Sequence, residues 1–344
     1  MVHVDPILLN VLGKRVNRDV FSAGGALLIP KFAVITLDHL RMLAKHGILL
    51  TDDDVLMIGT HRKAKWNDQD KMIDGAVHQV RGIFEEIRET KKIPLADLST
   101  NIVPLIHEVS DVTNLFGLFA ALQSKDDYTY RHNIAVGAIS SLIGKWLGLG
   151  RQDLLQLTTA AMLHDVGKIY IPKHILNKPG RLTDEEYAEM KKHTVYGYEL
   201  LKETAGIHHR EALPALQHHE RMDGSGYPHA LKQDQIEPFS RIVAVADVFH
   251  AMTSARSYRA PSPFYEVLFQ MEKDTFGVLD PAITRLFIEK IMNSLIGQTV
   301  LLTDESEGTI LMVKPYDPLH PLVQVGNRYI DLGKNNSLLI KKIL

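Results

Sequence analysis

Apolar residues along this chain recur mostly with a helical period. Ile73, Val77, Val80, Phe84 and Ile87 fall on one stripe. Ile102, Leu105, Ile106, Val109, Val112, Phe116 and Phe119 form a second, beyond Pro94. Such stripes predict two helices whose first use is bundle core; carrying a signal from the N-terminal region onward is the alternative. From about 126 to 296 the pattern stays helical, with polar loops rich in Gly and Pro. After Ile296 the period shortens, and EG, PYDP and GN turn signals punctuate β-like runs. Residues 1–60 mix short apolar runs with one helical segment, LDHLRMLAKHGI, that ends in a Gly stop. The polar stretch HRKAKWNDQDK at 61–71 reads as a linker. The pattern therefore predicts a mainly α chain in four parts. These are a small N-terminal α/β module of regulatory type (1–60), a linker and connecting helix (61–100), a helical domain (101–296) and a small β-rich C-terminal appendage (297–344).

Composition narrows the chemistry. With 45% hydrophobic and 23% charged residues, the 344-residue chain has the balance of a globular protein. A formal net charge of -2 argues against bulk nucleic-acid binding. The most apolar window, IAVGAISSLIGKWLGLG, is interrupted by Lys145 and predicts no membrane span. The N-terminal residues lack the unbroken apolar core of a signal peptide, so a cytoplasmic location is expected. The chain has no cysteine, which excludes disulfides, thiolate metal sites and a cysteine nucleophile. Any metal must use His, Asp or Glu, a donor set suited to iron, manganese or zinc.

Ten of the 17 histidines lie between His132 and His250, most beside acids or in loops. In LHDVGKIYIP an apolar helical run meets His164 and Asp165, so a polar pair falls at the buried end of a helix. An ionised Asp buried there needs a cation or a partner. An adjacent His and Asp can serve two metals, the carboxylate bridging, and Lys168 returns to the same face to hold a phosphate oxygen. A capping Asp beside a packed His is the alternative. His193 ends an EEYAEMKKH helix and, taken alone, reads as a solvated histidine among lysines. Asp247 lies in the apolar run RIVAVADVFHAMT, where it must be a ligand or one half of a buried salt bridge. His208 and His209 read as exposed.

LHDVGKIYIP, NKPGRLT (177–183), HHERMDGSGYP (218–228) and ADVFHAMTSARSYR occur in that order. Together they resemble the HD-GYP family of helical, metal-dependent phosphodiesterases within the HD superfamily, over roughly residues 125–296. The resemblance implies an HD-type helical bundle carrying two divalent metal ions, iron or manganese, with zinc also accepted. The ligands it implies are His132, His164, Asp165, His193, His218, His219 and Asp247, with Asp165 bridging. It also implies that Lys168 contacts the scissile phosphate and that Tyr227, Arg256 and Arg259 touch substrate. The implied reaction is hydrolysis of the 3′-5′ phosphodiester of cyclic di-GMP, a bacterial signal, by a metal-bridging hydroxide, giving pGpG and in some members GMP. Asp165 and Lys168 are the catalytic pair in that scheme. A diguanylate cyclase (GGDEF) partner is a further expectation, and a homodimer is one use the β appendage could have. The alternative is a module that senses cyclic di-GMP or docks a diguanylate cyclase, with weak catalysis.

Three positions depart from the family pattern. Tyr128 stands where members with a third metal have glutamate, which implies two metals and pGpG as main product. Ser257 replaces a common proline. His250 stands where many members have aspartate, one helical turn from Asp247, and is either a hydrogen-bond donor to a ligand or a packing residue.

Overall fold

A computed structural model describes residues 15–30, 33, 35, 37–51, 54–56, 63–110, 115–123, 128–254, 263–275, 277–335 and 337–344. Arg256, Ser257 and Arg259 lie outside the described residues, as does Val112. The chain divides into two compact units, residues 1–63 with 292–344, and residues 64–291.

In the first unit, β1 (Arg15–Val16) pairs antiparallel with β4 (Val55–Leu56), and β2 (Val20–Phe21) with β3 (Leu27–Ile29). Helix α1 (Leu37–Lys45) packs Leu40 and Leu43 into a cluster with Val16, Val20, Ile29 and Leu50. It stops where the sequence signals it, at Gly47 with φ 63°. Residues beyond 296 form five antiparallel strands: β5 (Thr299–Leu302), β6 (Glu307–Lys314), β7 (Asp317–Val325), β8 (Arg328–Asp331) and β9 (Ile340–Ile343). Their order in the sheet is β8-β7-β6-β5-β9. Val300 and Leu302 are buried while their strand neighbours are partly exposed, as period-two alternation requires.

The second unit is helical. Its first helix, α2 (Lys63–Thr90), begins inside the polar stretch expected to be a linker. Between Lys63 and Asp74 no Gly or Pro interrupts the chain, and Ala, Lys and Gln favour helix. The stripe that starts at Ile73 can therefore nucleate a helix that runs back through polar sequence. That stripe is buried throughout, from Ile73 to Ile87. The second stripe is divided among a π-turn (Leu98–Ile102), α3 (Val103–Ser110) and α4 (Leu115–Leu122). Ile102, Ile106, Val109 and Phe119 are buried.

The centre of the bundle is built by α5 (Tyr128–Trp146), α6 (Arg151–Leu163) and α10 (Pro238–Thr253). They pack Ile134, Ile139, Ala160, Met162, Val243 and Val245 out of solvent. Around them lie α7 (Asp184–Lys191), α8 (His193–Lys202), α9 (His209–Gln217), α11 (Phe264–Asp274) and α12 (Pro281–Ser294). A capping box starts α7: Glu186 N–H donates to Thr183 Oγ1 at 3.3 Å, and Thr183 N–H donates to Glu186 Oε2 at 2.7 Å. Among the described residues no helix is long and apolar enough to cross a membrane. The observed architecture is the mainly α arrangement with small β additions that the pattern predicts.

Candidate metal centre

Five helices meet in the bundle, four of them at a start or an end. His132 sits in the first turns of α5, and His164 and Asp165 close α6. His193 opens α8, His218 caps α9 with His219 next, and Asp247 lies within α10. These are the seven expected ligand positions, and the structure brings them together. Three groups, His132 with His164 and Asp247, His164 with Asp165 and His218, and His193 with His218 and His219, each gather their donor atoms within 4.8 Å. His208 and His209, by contrast, are exposed at the start of α9.

Three rings are aimed by backbone carbonyls three or four residues earlier in the chain. His164 Nδ1 bonds Ala161 O at 2.6 Å, His193 Nδ1 bonds Met190 O at 2.7 Å and His218 Nδ1 bonds Pro214 O at 2.8 Å. A carbonyl only accepts, so Nδ1 carries the hydrogen in all three and the Nε2 lone pair points into the cluster. His132 reaches the same tautomer through a side chain. His250 Nε2 lies 3.3 Å from Leu122 O, so it donates there and leaves its Nδ1 as acceptor. His132 Nδ1, 2.9 Å away, then donates to His250 and presents its own Nε2 as a lone pair. His250 thus hydrogen-bonds His132, one of the expected ligand positions.

Asp165 lies between the groups. Its Oδ2 is 3.4 Å from His164 Nε2 and 3.7 Å from His132 Nε2. Its Oδ1 is 3.4 Å from His193 Nε2 and 3.7 Å from His218 Nε2. Each carboxylate oxygen faces a different set of imidazoles, as a bridging ligand must. Lys168 Nζ donates to Oδ2 at 2.5 Å, with its side chain still 29% exposed.

The arrangement fits cations. With Nδ1 occupied, the Nε2 lone pairs of His193 and His218 face each other at 3.4 Å, and that of His132 faces Asp247 Oδ1 at 3.2 Å. Pairs of acceptors at such separations repel unless positive charge lies between them. Two further buried atoms, His164 Nε2 and Asp165 Oδ1, have no hydrogen-bond partner.

The electrostatics agree at four of the five histidines. Burial depresses His132, holds His218 and His219 well below the usual imidazole range, and pushes His193 down to about 4, so these rings are neutral. His164 differs: burial lowers it, but the adjacent Asp165 offsets this and leaves it raised. Burial acts to raise both carboxyls. Lys168 and His164 outweigh it at Asp165, and His132 does so at Asp247, so both stay well below the usual carboxylate range. Neutral imidazoles and ionised carboxylates are the protonation states that metal binding requires.

Gly167 explains why His193 can come so close. A Cβ there would stand 2.0 Å from His193 O and 2.4 Å from Gly197 N, so the turn after Asp165 packs backbone to backbone against α8. The loop after His219 is held in the same way, because a Cβ on Gly226 would lie 2.4 Å from Arg221 N. Glu220, which the sequence reading passed over, is buried and accepts from His229 N at 2.7 Å and Leu231 N at 2.9 Å. It ties the far side of the loop back to the ligand pair. Tyr227 consequently stacks on His219, ring centroids 4.6 Å apart, and burial raises its hydroxyl pKa. The signal for Glu220 was an acid directly after two ligands, which alone does not separate a ligand from a loop clamp.

Residues 118–283 match the family model described as HD domain. The chain is 38% identical over 191 residues to a cyclic di-GMP phosphodiesterase of Thermotoga maritima, covering 55% of this chain and 50% of that protein. It is 31% identical over 265 residues to a cyclic di-GMP phosphodiesterase of Pseudomonas aeruginosa, covering 74% of this chain and 64% of the relative. The chain therefore spans between half and two thirds of the length of these curated relatives. In fold it resembles a HDG"Y"P protein from Bdellovibrio bacteriovorus, with TM-score 0.52 and 16% identity over 80% of this chain and 95% of that one. The family match over residues 118–283 makes that part of the chain similar to an HD domain, and the order of the motifs and the geometry of their histidines and aspartates are those that the HD-GYP resemblance implies.

Proposed function

We propose that this chain is a metal-dependent phosphodiesterase that hydrolyses cyclic di-GMP to pGpG. The observation that supports it most is Asp165, whose two oxygens each face a separate set of buried imidazoles. His132, His164, Asp165 and Asp247 would hold one divalent cation, and Asp165, His193, His218 and His219 a second, with iron, manganese and zinc all suited to the donors. When bound, such a pair supplies Lewis acidity toward a phosphodiester and activates the attacking water.

The remaining work falls to the chain. Asp165 fixes the spacing of the two donor sets. Lys168 stands at its edge, exposed enough to turn from the carboxylate to a nonbridging phosphate oxygen and to neutralise charge that grows as the P–O3′ bond breaks. Tyr227, fixed on His219, walls the site and excludes water. Arg256 and Arg259 complete the proposed substrate contacts.

Turnover of cyclic di-GMP by protein reconstituted with Fe(II) or Mn(II), resolved by chromatography, tests the reading. The expected result is pGpG from wild type and none above background from Asp165→Ala. Metal-loaded protein that binds the dinucleotide without cleaving it would leave only a sensing role.

A further inference from the structure

A cleft of about 230 Å³ opens directly onto the proposed centre, and its walls come from three separate segments. Asp165 and Lys168 form its floor, Phe84 and Arg88 of α2 one side, Tyr130 of α5 and Lys173 the rest. The larger cavity of about 770 Å³, lined by Glu86, Asp97 and Glu108, contains none of the ligand histidines. Helix α2 is held in place here by its buried stripe. Phe84 and Ile87 are buried, Phe84 meets Tyr130 edge-on at 5.9 Å, and Arg81 lies 5.8 Å from the Tyr130 ring centroid. Arg88, one turn beyond Phe84 on the same face, therefore projects beside the cleft from an anchored helix.

The charge of the cleft is unbalanced. Lys168 already pairs with Asp165, whereas neither Arg88 nor Lys173 has a carboxylate partner among the described residues. Both are exposed, so each keeps its ammonium or guanidinium available to a bound anion. A cyclic dinucleotide carries two phosphodiesters. With one at Asp165 and Lys168, the other remains a full negative charge that must find a cation nearby or lose hydration without compensation. A guanidinium fork suits it.

We infer that Arg88 and Lys173 form a second anion subsite that holds the non-reacting phosphate of a cyclic dinucleotide; the inference rests on the phosphodiesterase reading. It makes α2, the helix between the N-terminal segment and the catalytic bundle, part of the substrate site. It also gives the chain a preference for substrates with two phosphates over simple diesters.

The test compares kcat/KM for cyclic di-GMP with kcat/KM for bis(4-nitrophenyl) phosphate, which has one phosphodiester and nothing for the subsite to hold. In Arg88→Ala and Lys173→Ala the ratio of the two is expected to fall by about tenfold or more, the usual scale of a charge-assisted hydrogen bond. The loss should lie mainly in KM for the dinucleotide. A ratio equal to wild type in a variant whose far-UV circular dichroism matches wild type overturns the subsite; where an alanine variant loses both activities, Arg88→Gln and Lys173→Gln supply the ratio that decides. Wild-type protein that cleaves the simple diester but no cyclic dinucleotide overturns the parent reading and the subsite with it, a result distinct from a silent Arg88.

Discussion

His250 orients His132 without adding charge, which an aspartate in its place would do. The imidazole accepts from His132 Nδ1 at 2.9 Å and is itself fixed by Leu122 O at 3.3 Å and Ser254 Oγ at 3.0 Å. Replacing the acceptor with an apolar ring should free His132 to rotate or change tautomer. His250→Phe is expected to weaken binding at the donor set of His132, His164 and Asp247 by about tenfold to a hundredfold, with the other set nearly unaffected. His250→Asp should restore affinity or raise it. Cobalt(II) titration followed by visible absorption reads both sites, and equal affinities in wild type and His250→Phe would reduce His250 to a packing residue.

Between elements, close backbone approach governs the geometry. Gly167 lies against His193 O and Gly197 N, with no flexible side chain to yield. Gly167→Ala must push the turn after Asp165 away from α8, separating Asp165 from His193. We expect a lower Tm and loss of one metal equivalent, measured by thermal denaturation and elemental analysis; native values for both would contradict the packing. Glu220→Gln keeps the shape but weakens two bonds to the loop, so faster proteolysis at 223–231 is expected while metal content holds. At this scale the sequence was partly legible. Burial cost marked only Asp165 and Asp247 as acids in need of a partner; the other clustered positions came from the resemblance carried by the ordered motifs. Residues 63–71, expected as a linker, are helical, because polar composition alone does not stop a helix. Arg88 was invisible, since a lone arginine on an amphipathic helix gains meaning only from what packs opposite it. His193 looked solvated among its lysines and is 1% exposed, because Gly167 lets another turn cover it.

At the level of the whole molecule, the bundle holds several imidazoles neutral that would take up protons once unfolded. His193 illustrates the sign: its folded value is about 4 against 6.5 unfolded. Between those values the unfolded chain binds more protons, so stability falls as pH drops from about 6.5 and levels off near 4. Urea unfolding of metal-free protein across that interval should give midpoints that decline with acidity; constant midpoints would contradict neutral burial. Bound metal stabilises the folded state in proportion to the logarithm of its free concentration. EDTA should therefore lower Tm while far-UV circular dichroism at 25 °C stays helical, because the bundle core does not depend on the cluster.

The tethering of the histidines has a consequence for how such a centre can change over generations. Ala161, Met190 and Pro214 hold three rings through carbonyl oxygens, which every amino acid supplies. Mutation at those anchors leaves the tautomers intact, so that part of the centre is shielded from point substitution. His132 is held by a side chain 118 residues away, and there a single codon can alter charge and donor strength. In the proposed centre, point substitution can therefore retune the donor held from position 250, while the other three anchors are buffered.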